Sequence, residues 1–464
     1  MIPLPYSTGK TFGVVGLGAS GMAAVHALHE SGAAVEAWDD NADKRDALPD
    51  GVHALAPDNW DWSDMTALVL SPGIPLTHPA PHHVVQLARQ YGVPIIGDIE
   101  MLFQANPTAR YIGITGTNGK STTTALIGHI LRYANVPCEV GGNLGKPVME
   151  MDVLGADGVY VLELSSYQLD LLRSTKIDVA VWLNISPDHI DRHGDLRGYM
   201  AAKAHIFDRQ DAQCHAIIGV DDVHSEGFLE THRLKSNATI WPISATHDLA
   251  QGVYVQGGRL HAVLGDDGAQ ADVSNIATLQ GTHNAQNIAA AYAACRALGV
   301  AHATIVEALA SFKGLAHRMQ LVKELDGVRF VNDSKATNAD AAARSLGTYE
   351  RIYWIAGGVA KDGGIASLSP YYGRVAHAYL IGEAQDAFAA TLEGKVAYSR
   401  CDTMQNAFAQ AVRDARADNS GNATVLLAPA CASFDQYANF EKRGDAFIAL
   451  VRDYAAKENA SHAI

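Results

Sequence analysis

No run of about 18 apolar residues occurs anywhere in this 464-residue chain, so no membrane-spanning helix is expected. The start, Met1-Ile-Pro-Leu-Pro-Tyr6, has no basic segment leading into a long apolar stretch, so no signal peptide is expected either. Cysteine is scarce. Cys138, Cys214, Cys295, Cys401 and Cys431 are odd in number and widely spaced, and no CxxC occurs. That pattern excludes a disulfide framework and reads as reduced, structural thiols in a cytosolic protein. Positive charge is also short, with 35 Lys+Arg against 50 Asp+Glu and a formal net charge of −15. Such a balance argues against a general nucleic-acid or membrane-surface binder. It leaves room for an anionic small substrate, because a few local cations suffice to hold phosphates. No fixed-period repeat or low-complexity stretch is present. Hydrophobic residues make up 48% and charged residues 18%, which excludes disorder, collagen and coiled coil as the main state.

What the chain does have is short β-branched runs alternating with Ala-rich helical runs. That alternation predicts an α/β protein with parallel sheets covered by helices on both faces. Expected strands include Thr11–Val15, Val35–Trp38, Ala67–Leu70, Tyr111–Thr115, Val159–Leu162, Val179–Leu183, Ile352–Ala356 and Thr424–Ala428. Two glycine-rich loops, near residues 16 and 116, each follow a strand and open a helix. Each normally starts an independent unit, so a boundary is expected between them, in Asn106-Pro-Thr-Ala-Arg110. A second is expected at Lys313-Gly314, giving domains over 1–105, 106–314 and 315–464. The tail from Lys457 to Ile464 reads as a frayed end.

The first loop, Gly16-Leu-Gly18-Ala19-Ser20-Gly21, fits GxGxxG and opens a helix over Ala19 to His29. Its glycines let a pyrophosphate approach the helix N-terminus. Asp39 and Asp40, about 20 residues on, stand where a ribose-binding acid is expected. A dinucleotide site, a nucleotide-sugar site and a tight turn that binds nothing all remain open on this signal alone. The second loop, Thr115-Gly116-Thr117-Asn118-Gly119-Lys120-Ser121-Thr122, is a shorter cradle than the common GxxxxGK[ST]. Its backbone N–H groups suit phosphate oxygens, Lys120 the terminal phosphates, and a hydroxyl of Ser121 or Thr122 a Mg²⁺ ion. Glu163 ends an apolar strand after this loop, where a metal-holding carboxylate belongs; a strand-end acid in solvent is the plainer reading. His189 and His193 are four apart, but a zinc site needs further Cys or His ligands, and oxygen ligands suit the Mg²⁺ that ATP brings. His193 alone reads as a helix-capping or surface histidine. Lys203 alone reads as a surface lysine.

The run TGTNGKST, LELSSYQL, NISPDHIDRHG with AAK, GTHNAQN, GLAHR, NDSKATN and APACASFDQY closely resembles the Mur ligases, in order and over essentially the whole chain. These are the ATP-dependent amino-acid-adding enzymes of peptidoglycan synthesis. The resemblance implies a Rossmann-like N-terminal domain, a central P-loop ATPase-type domain and a C-terminal Rossmann-like domain. Within the family, GLGASG, SPGIP at Ser71–Pro75, GDIE at Gly97–Glu100 and NDSKATN point to the branch that adds D-glutamate to UDP-N-acetylmuramoyl-L-alanine. By that likeness Gly18, Ala19, Ser20, Gly21, Asp39, Asp40, Gly73 and Asn143 contact the UDP-sugar. Gly116, Thr117, Asn118, Gly119, Lys120, Ser121, Thr122, Asn284, Arg318, Asp333 and Lys335 contact ATP. Ser121, Glu163, His189 and a carbamylated Lys203 are implied as ligands for two Mg²⁺ ions. Thr337, Lys361, Ser433 and Phe440 are implied as the wall around glutamate, although Asn284 also reads as a polar helix start and Ser433 and Phe440 as packing near a turn. The loop Gly357–Gly363 varies in length within the family, which weakens the transfer to Lys361. An L-glutamate-adding relative and a folylpolyglutamate synthetase-like ligase are the alternative activities. A NAD-dependent oxidoreductase leaves TGTNGKST idle, and a non-enzymatic nucleotide-binding regulator does not need Glu163, His189 and Lys203 together. A cytoplasmic monomer is expected.

Overall fold

The computed structural model describes residues 1–461 apart from 144, 266, 362, 419 and 420. The chain divides into two compact units, Met1–Phe312 and Lys313–Ile464. Both are α/β with mainly parallel sheets, as the alternation of apolar runs and Ala-rich runs predicts.

The first unit holds two sheets. The smaller runs in the order Ala34–Trp38, Thr11–Val15, Met65–Leu70, Ile95–Ile96, all parallel. The larger runs from Asp267–Asp272 through Arg259–Leu264, Gly252–Gln256, Thr239–Ser244, His215–Gly219, Val179–Trp182, Arg110–Thr115 and Val159–Glu163 to Cys138–Gly142. Only its first three strands form an antiparallel ribbon; the rest are parallel. Arg110–Thr115 lies between Val159–Glu163 and Val179–Trp182, and the chain crosses it in passing from one to the other, so its C-terminal end is the switch in strand order where open α/β sheets form a ligand crevice. The central strands are buried along their whole length, which explains their unbroken apolar sequences.

The helix Lys120–Tyr133 follows that crevice and buries Leu126, Ile127, Ile130 and Leu131 against the sheet. The Ala-rich helix Thr282–Ala297 packs beside it, its small residues allowing close approach. On the other side of the sheet, Tyr111, Tyr160 and Trp182 join the core that continues under the smaller sheet.

The second unit holds a six-stranded sheet in the order Gln320–Leu325, Val328–Asn332, Thr424–Leu427, Ile352–Gly357, Val375–Ile381, Tyr398–Asp402, and a small antiparallel pair, Val359–Ala360 with Cys431–Ala432. Only the first pair of the six-stranded sheet is antiparallel. Separate apolar layers cover its two faces. The tail departs from expectation: the helix Phe440–Ser461 continues well past Lys457, because Phe447, Val451 and Ala455 anchor it to the core. Residues 462–464 of the expected frayed end lie outside the described residues.

Glu100 shows how a buried charge is held here. It is fully buried, and its carboxylate accepts the N–H groups of Arg173 (2.9 Å), Ser174 (2.9 Å) and Thr175 (3.2 Å) and the hydroxyls of Ser174 and Thr175. Burial pushes its pKa up, but those donors outweigh burial and leave it below the usual value. A depressed carboxylate stabilises the fold above its ordinary pKa and loses that contribution as pH falls through the folded value. Glu100→Gln, which points an NH₂ at donors, is expected to cost roughly 2–3 kcal/mol at pH 7. Urea unfolding at a series of pH values checks this: the gap to wild type should narrow below about pH 4.

Candidate active site

In the first unit, Gly16–Gly21 wraps the N-terminus of the helix Ala19–Glu30. A Cβ on Gly21 would lie 1.8 Å from the Gly16 carbonyl, so only glycine closes this turn. The loop is braced from below. Asp39 accepts from the Leu17 N–H (2.7 Å), the Asn41 N–H (2.9 Å) and Lys44 Nζ (3.2 Å). Burial raises the Asp39 pKa, but these hydrogen bonds and Lys44 carry it below normal. Asp39 thus shapes the loop from its inner side, whereas Asp40 is exposed. Ser20 turns its hydroxyl to buried Asp98. Gly73 lies in the turn after Met65–Leu70, and a Cβ placed on it would meet open space.

The second loop is built to keep its backbone amides in place. Gly116 (φ +145°) and Gly119 (φ +86°) take conformations that side chains disfavour. A Cβ on Gly119 would also lie 2.4 Å from Asn287 Oδ1. The Thr117 N–H donates to the Asn184 carbonyl and the Asn118 N–H to Asn184 Oδ1, both at 2.9 Å. Lys120 folds back over the loop, donating to the carbonyls of Gly116 (2.8 Å) and Thr117 (2.9 Å). Ser121 is buried and Thr122 half-buried in the first turn of the helix. Asn287 Nδ2 donates to Asn284 Oδ1 (3.0 Å), so GTHNAQN backs this loop while Asn284 itself is half-buried.

Glu163 is buried, and its Oε2 has no hydrogen-bond partner. Its Oε1 accepts from Asn143 Nδ2 at 2.8 Å. Asn143 is therefore tied to the carboxylate rather than standing apart from it.

Lys203 corrects its plain reading. It is 1% exposed, not on the surface, and donates to Thr115 Oγ1 (3.2 Å) and the Gly116 carbonyl (3.0 Å). Gly116 thus accepts from both Lys120 and Lys203. Burial drives the Lys203 pKa well below normal, and the charge of Lys120 adds to this; Asp188 and Glu163 oppose it. His193 is buried too, against its surface reading, with Ser166 Oγ at 2.9 Å from its Nε2. Burial pushes its pKa down to about 4, helped by the nearby positive groups. His189 is exposed, with its ring 5.0 Å from Tyr167 and 6.2 Å from Tyr199. Tyr199 in turn lies 4.6 Å from Lys203 Nζ.

Among the described residues no three His, Cys, Asp or Glu side chains gather as a metal site. A divalent cation nonetheless fits the Glu163 side of this cluster. An unpartnered buried carboxylate oxygen, a first-turn hydroxyl and hard-oxygen chemistry suit Mg²⁺ rather than zinc.

The second unit holds its own cluster. Asp333 is buried at the end of Val328–Asn332, and Arg318 lies near enough to act on its charge. Burial pushes the Asp333 pKa up, against hydrogen bonds from Ser345 and the Met319 N–H and against the arginine charges. Lys335 Nζ sits 5.5 Å from the Phe440 ring. The Thr337 N–H donates to the Lys335 carbonyl (2.9 Å). Ser433 is buried and Lys361 exposed; Asp362 of the same loop lies outside the described residues.

Arg443, which no motif in the sequence singles out, joins these segments. It is 1% exposed and donates to Ser334 Oγ (3.0 Å) and to the carbonyls of Ser334 (2.9 Å), Cys431 (3.0 Å) and Ala432 (3.2 Å). One guanidinium thus ties NDSKATN to APACASFDQY. Its sole signal in the sequence is an arginine within an otherwise helical C-terminal segment.

Three family models match the chain: the Mur ligase MurD-like N-terminal domain over residues 10–97, the Mur ligase middle domain over 114–295, and the Mur ligase glutamate ligase domain over 317–431. The chain is 50% identical to the UDP-N-acetylmuramoylalanine–D-glutamate ligase of Caulobacter sp. (strain K31), over 97% of this chain and 98% of that one. It is 49% identical to the enzyme of the same name from Rhodospirillum rubrum, over 98% and 97%. The chain belongs to the Mur ligase family. Among solved structures its fold resembles a MurF ligase of Thermotoga maritima in complex with ADP (TM-score 0.56, 16% identity, 98% of each chain). It also resembles the UDP-N-acetylmuramate–alanine ligase MurC of Thermotoga maritima (TM-score 0.55, 18% identity, 97% of this chain and 99% of that one).

Proposed function

We propose that this protein joins D-glutamate to UDP-N-acetylmuramoyl-L-alanine in peptidoglycan synthesis, converting ATP to ADP and phosphate. The observation that carries the reading is the match at 50% identity along nearly the whole chain to a curated D-glutamate-adding ligase. The phosphate loop with Lys120, Glu163 and Lys203 around it supports the ATP-dependent half.

A carboxylate is a poor acylating agent, so it must first gain a leaving group. An alanine carboxylate oxygen attacks the γ-phosphorus, the bond to the bridging oxygen breaks, and ADP leaves. The glutamate amine then attacks the acyl-phosphate carbon, loses a proton, and phosphate departs. Lys120 leaves its loop carbonyls to meet charge on the transferred phosphoryl group, and Arg318 does the same. Ser121, Glu163, His189 and carbamylated Lys203 would hold two Mg²⁺ ions, which would supply charge to offset the repulsion between carboxylate and triphosphate. Gly18–Gly21, Asp39, Asp40, Gly73 and Asn143 serve the sugar nucleotide; Asn284, Asp333 and Lys335 serve ATP. Thr337, Lys361, Ser433 and Phe440 receive glutamate. The division into domains over 1–105, 106–314 and 315–464, the monomeric state and a cytoplasmic location belong to the same proposal. No helix among the described residues is long and apolar enough to cross a membrane.

The test is D-glutamate against L-glutamate in a phosphate-release assay with UDP-N-acetylmuramoyl-L-alanine. Inverting Cα while the amine stays at the acyl phosphate leaves one charged contact unmade. L-Glutamate is expected to be at least ~100-fold poorer in kcat/KM, or ~2.7 kcal/mol. Equal rates, or an L preference, overturn the D-glutamate assignment and leave the ligase reading standing.

A further inference from the structure

Arg192 lies inside the NISPDHIDRHG run but has no role in the proposed reaction. It stands on the short helix Ile190–His193, whose N-cap is His189 in the left-handed conformation (φ +51°). Its guanidinium reaches across to the turn after Met65–Leu70. Nη1 donates to the Gly73 carbonyl (2.8 Å), and Nη2 to those of Ile74 (3.0 Å) and Pro72 (3.3 Å). Its Cζ lies 4.4 Å over the Tyr167 ring, and that ring lies 5.0 Å from His189 and 5.6 Å from His193. No salt bridge to a carboxylate is formed by Arg192 among the described residues. Its guanidinium is taken up by backbone carbonyls and an aromatic face, and its charge also acts on the Asp170 carboxylate.

Three successive carbonyls held by one planar fork fix the peptide planes between them. In a trans peptide the N–H points opposite its carbonyl, so holding the Pro72 carbonyl aims the Gly73 N–H away from Arg192. The turn is uncrowded at Gly73, with nothing within 4 Å of a would-be Cβ. The Ile74 N–H is already taken by the Ser71 carbonyl. The same guanidinium braces Tyr167, against which His189 rests.

We propose that Arg192 is a positioning residue that links the two substrate-facing elements of this unit: it presents the Gly73 amide to the sugar nucleotide and holds the turn that carries His189. The inference rests on the proposed function for the identity of the nucleotide. Loss of Arg192 then damages sugar-nucleotide binding and turnover together, while ATP binding on the Gly116–Thr122 loop is spared. A lysine cannot substitute, because one ammonium does not span three carbonyls in a plane.

Arg192→Ala and Arg192→Lys are compared with wild type by calorimetric titration with UDP and by steady-state phosphate release. Expected in both variants are a UDP affinity at least ~10-fold weaker, a KM for the sugar nucleotide at least ~10-fold higher and a kcat at least ~10-fold lower. The KM for ATP should stay within about twofold, and methylguanidinium should restore part of the activity of Arg192→Ala but not of Arg192→Lys. Unchanged UDP affinity, rescue by lysine, or an equal rise in the KM for ATP overturns the proposal. Should Arg192→Ala not fold, Arg192→Lys keeps the stem and charge and decides alone. The UDP titration needs no ligation, so a wild type that binds UDP yet fails to use D-glutamate refutes the proposed reaction and leaves this inference to its own test.

Discussion

Lys120→Ala is expected to lower kcat for ligation by at least ~10²–10³-fold, about 2.7–4 kcal/mol, while UDP still binds with wild-type affinity. The direction follows from where the side chain rests. Nζ donates to the carbonyls of Gly116 and Thr117, at 2.8 and 2.9 Å. Those acceptors belong to the loop whose amides would cradle the phosphates. The lysine is thus a cation stored one swing away from the charge that it must meet. Alanine removes the cation without altering the glycine conformations at Gly116 and Gly119 that shape the loop. Gly16–Gly21 and its brace Asp39 lie on the other sheet of the unit, so UDP affinity serves as the internal control. Phosphate release at saturating ATP, beside a UDP titration, makes the measurement. Ligation within about tenfold of wild type would remove Lys120 from the phosphate site.

How far the sequence led can be judged element by element. Val159–Leu162 and Val179–Leu183 are readable because strands buried on both faces must be apolar throughout, and their observed ends differ by a single residue. Gln320–Leu325 is harder, since half its residues face solvent and its pattern is weak. Asp267–Asp272 carries no apolar run at all and is a strand only because Arg259–Leu264 pairs with it. The phosphate loop was legible because left-handed backbone demands glycine at fixed spacing. Lys203 and His193 were not, taken alone. Their burial depends on Thr115 and Ser166, brought in from elsewhere by the fold, with Tyr199 one turn before Lys203 on its own helix. Arg192 and Arg443 were silent for a related reason. Their partners are main-chain carbonyls, and any sequence supplies those.

Lys203→Ala and Lys203→Arg are both expected to lose nearly all ligation, at least ~10³-fold in kcat, although arginine preserves the positive charge. The reason is the sign of the charge that the site needs. A buried ammonium beside Lys120 is unfavourable, and burial together with Lys120 holds the amine toward its neutral form. A neutral amine is the form that adds to CO₂: its lone pair attacks the carbon, one proton leaves, and a carbamate anion remains. That turns a cation into an oxygen ligand close to Glu163, whose Oε2 is buried and unpartnered. Arginine cannot follow this route, because its guanidinium stays protonated and does not add CO₂. Two measurements decide the matter. Protein equilibrated with ¹³C-bicarbonate should show a carbamate carbon resonance that Lys203→Ala lacks. Short carboxylates such as formate or acetate should restore part of the activity of Lys203→Ala, by placing an anion in the space vacated by the side chain. A Lys203→Arg variant that keeps most of its activity, or wild-type protein without the resonance, would mean that Lys203 acts as the amine itself, held by Thr115 and Gly116.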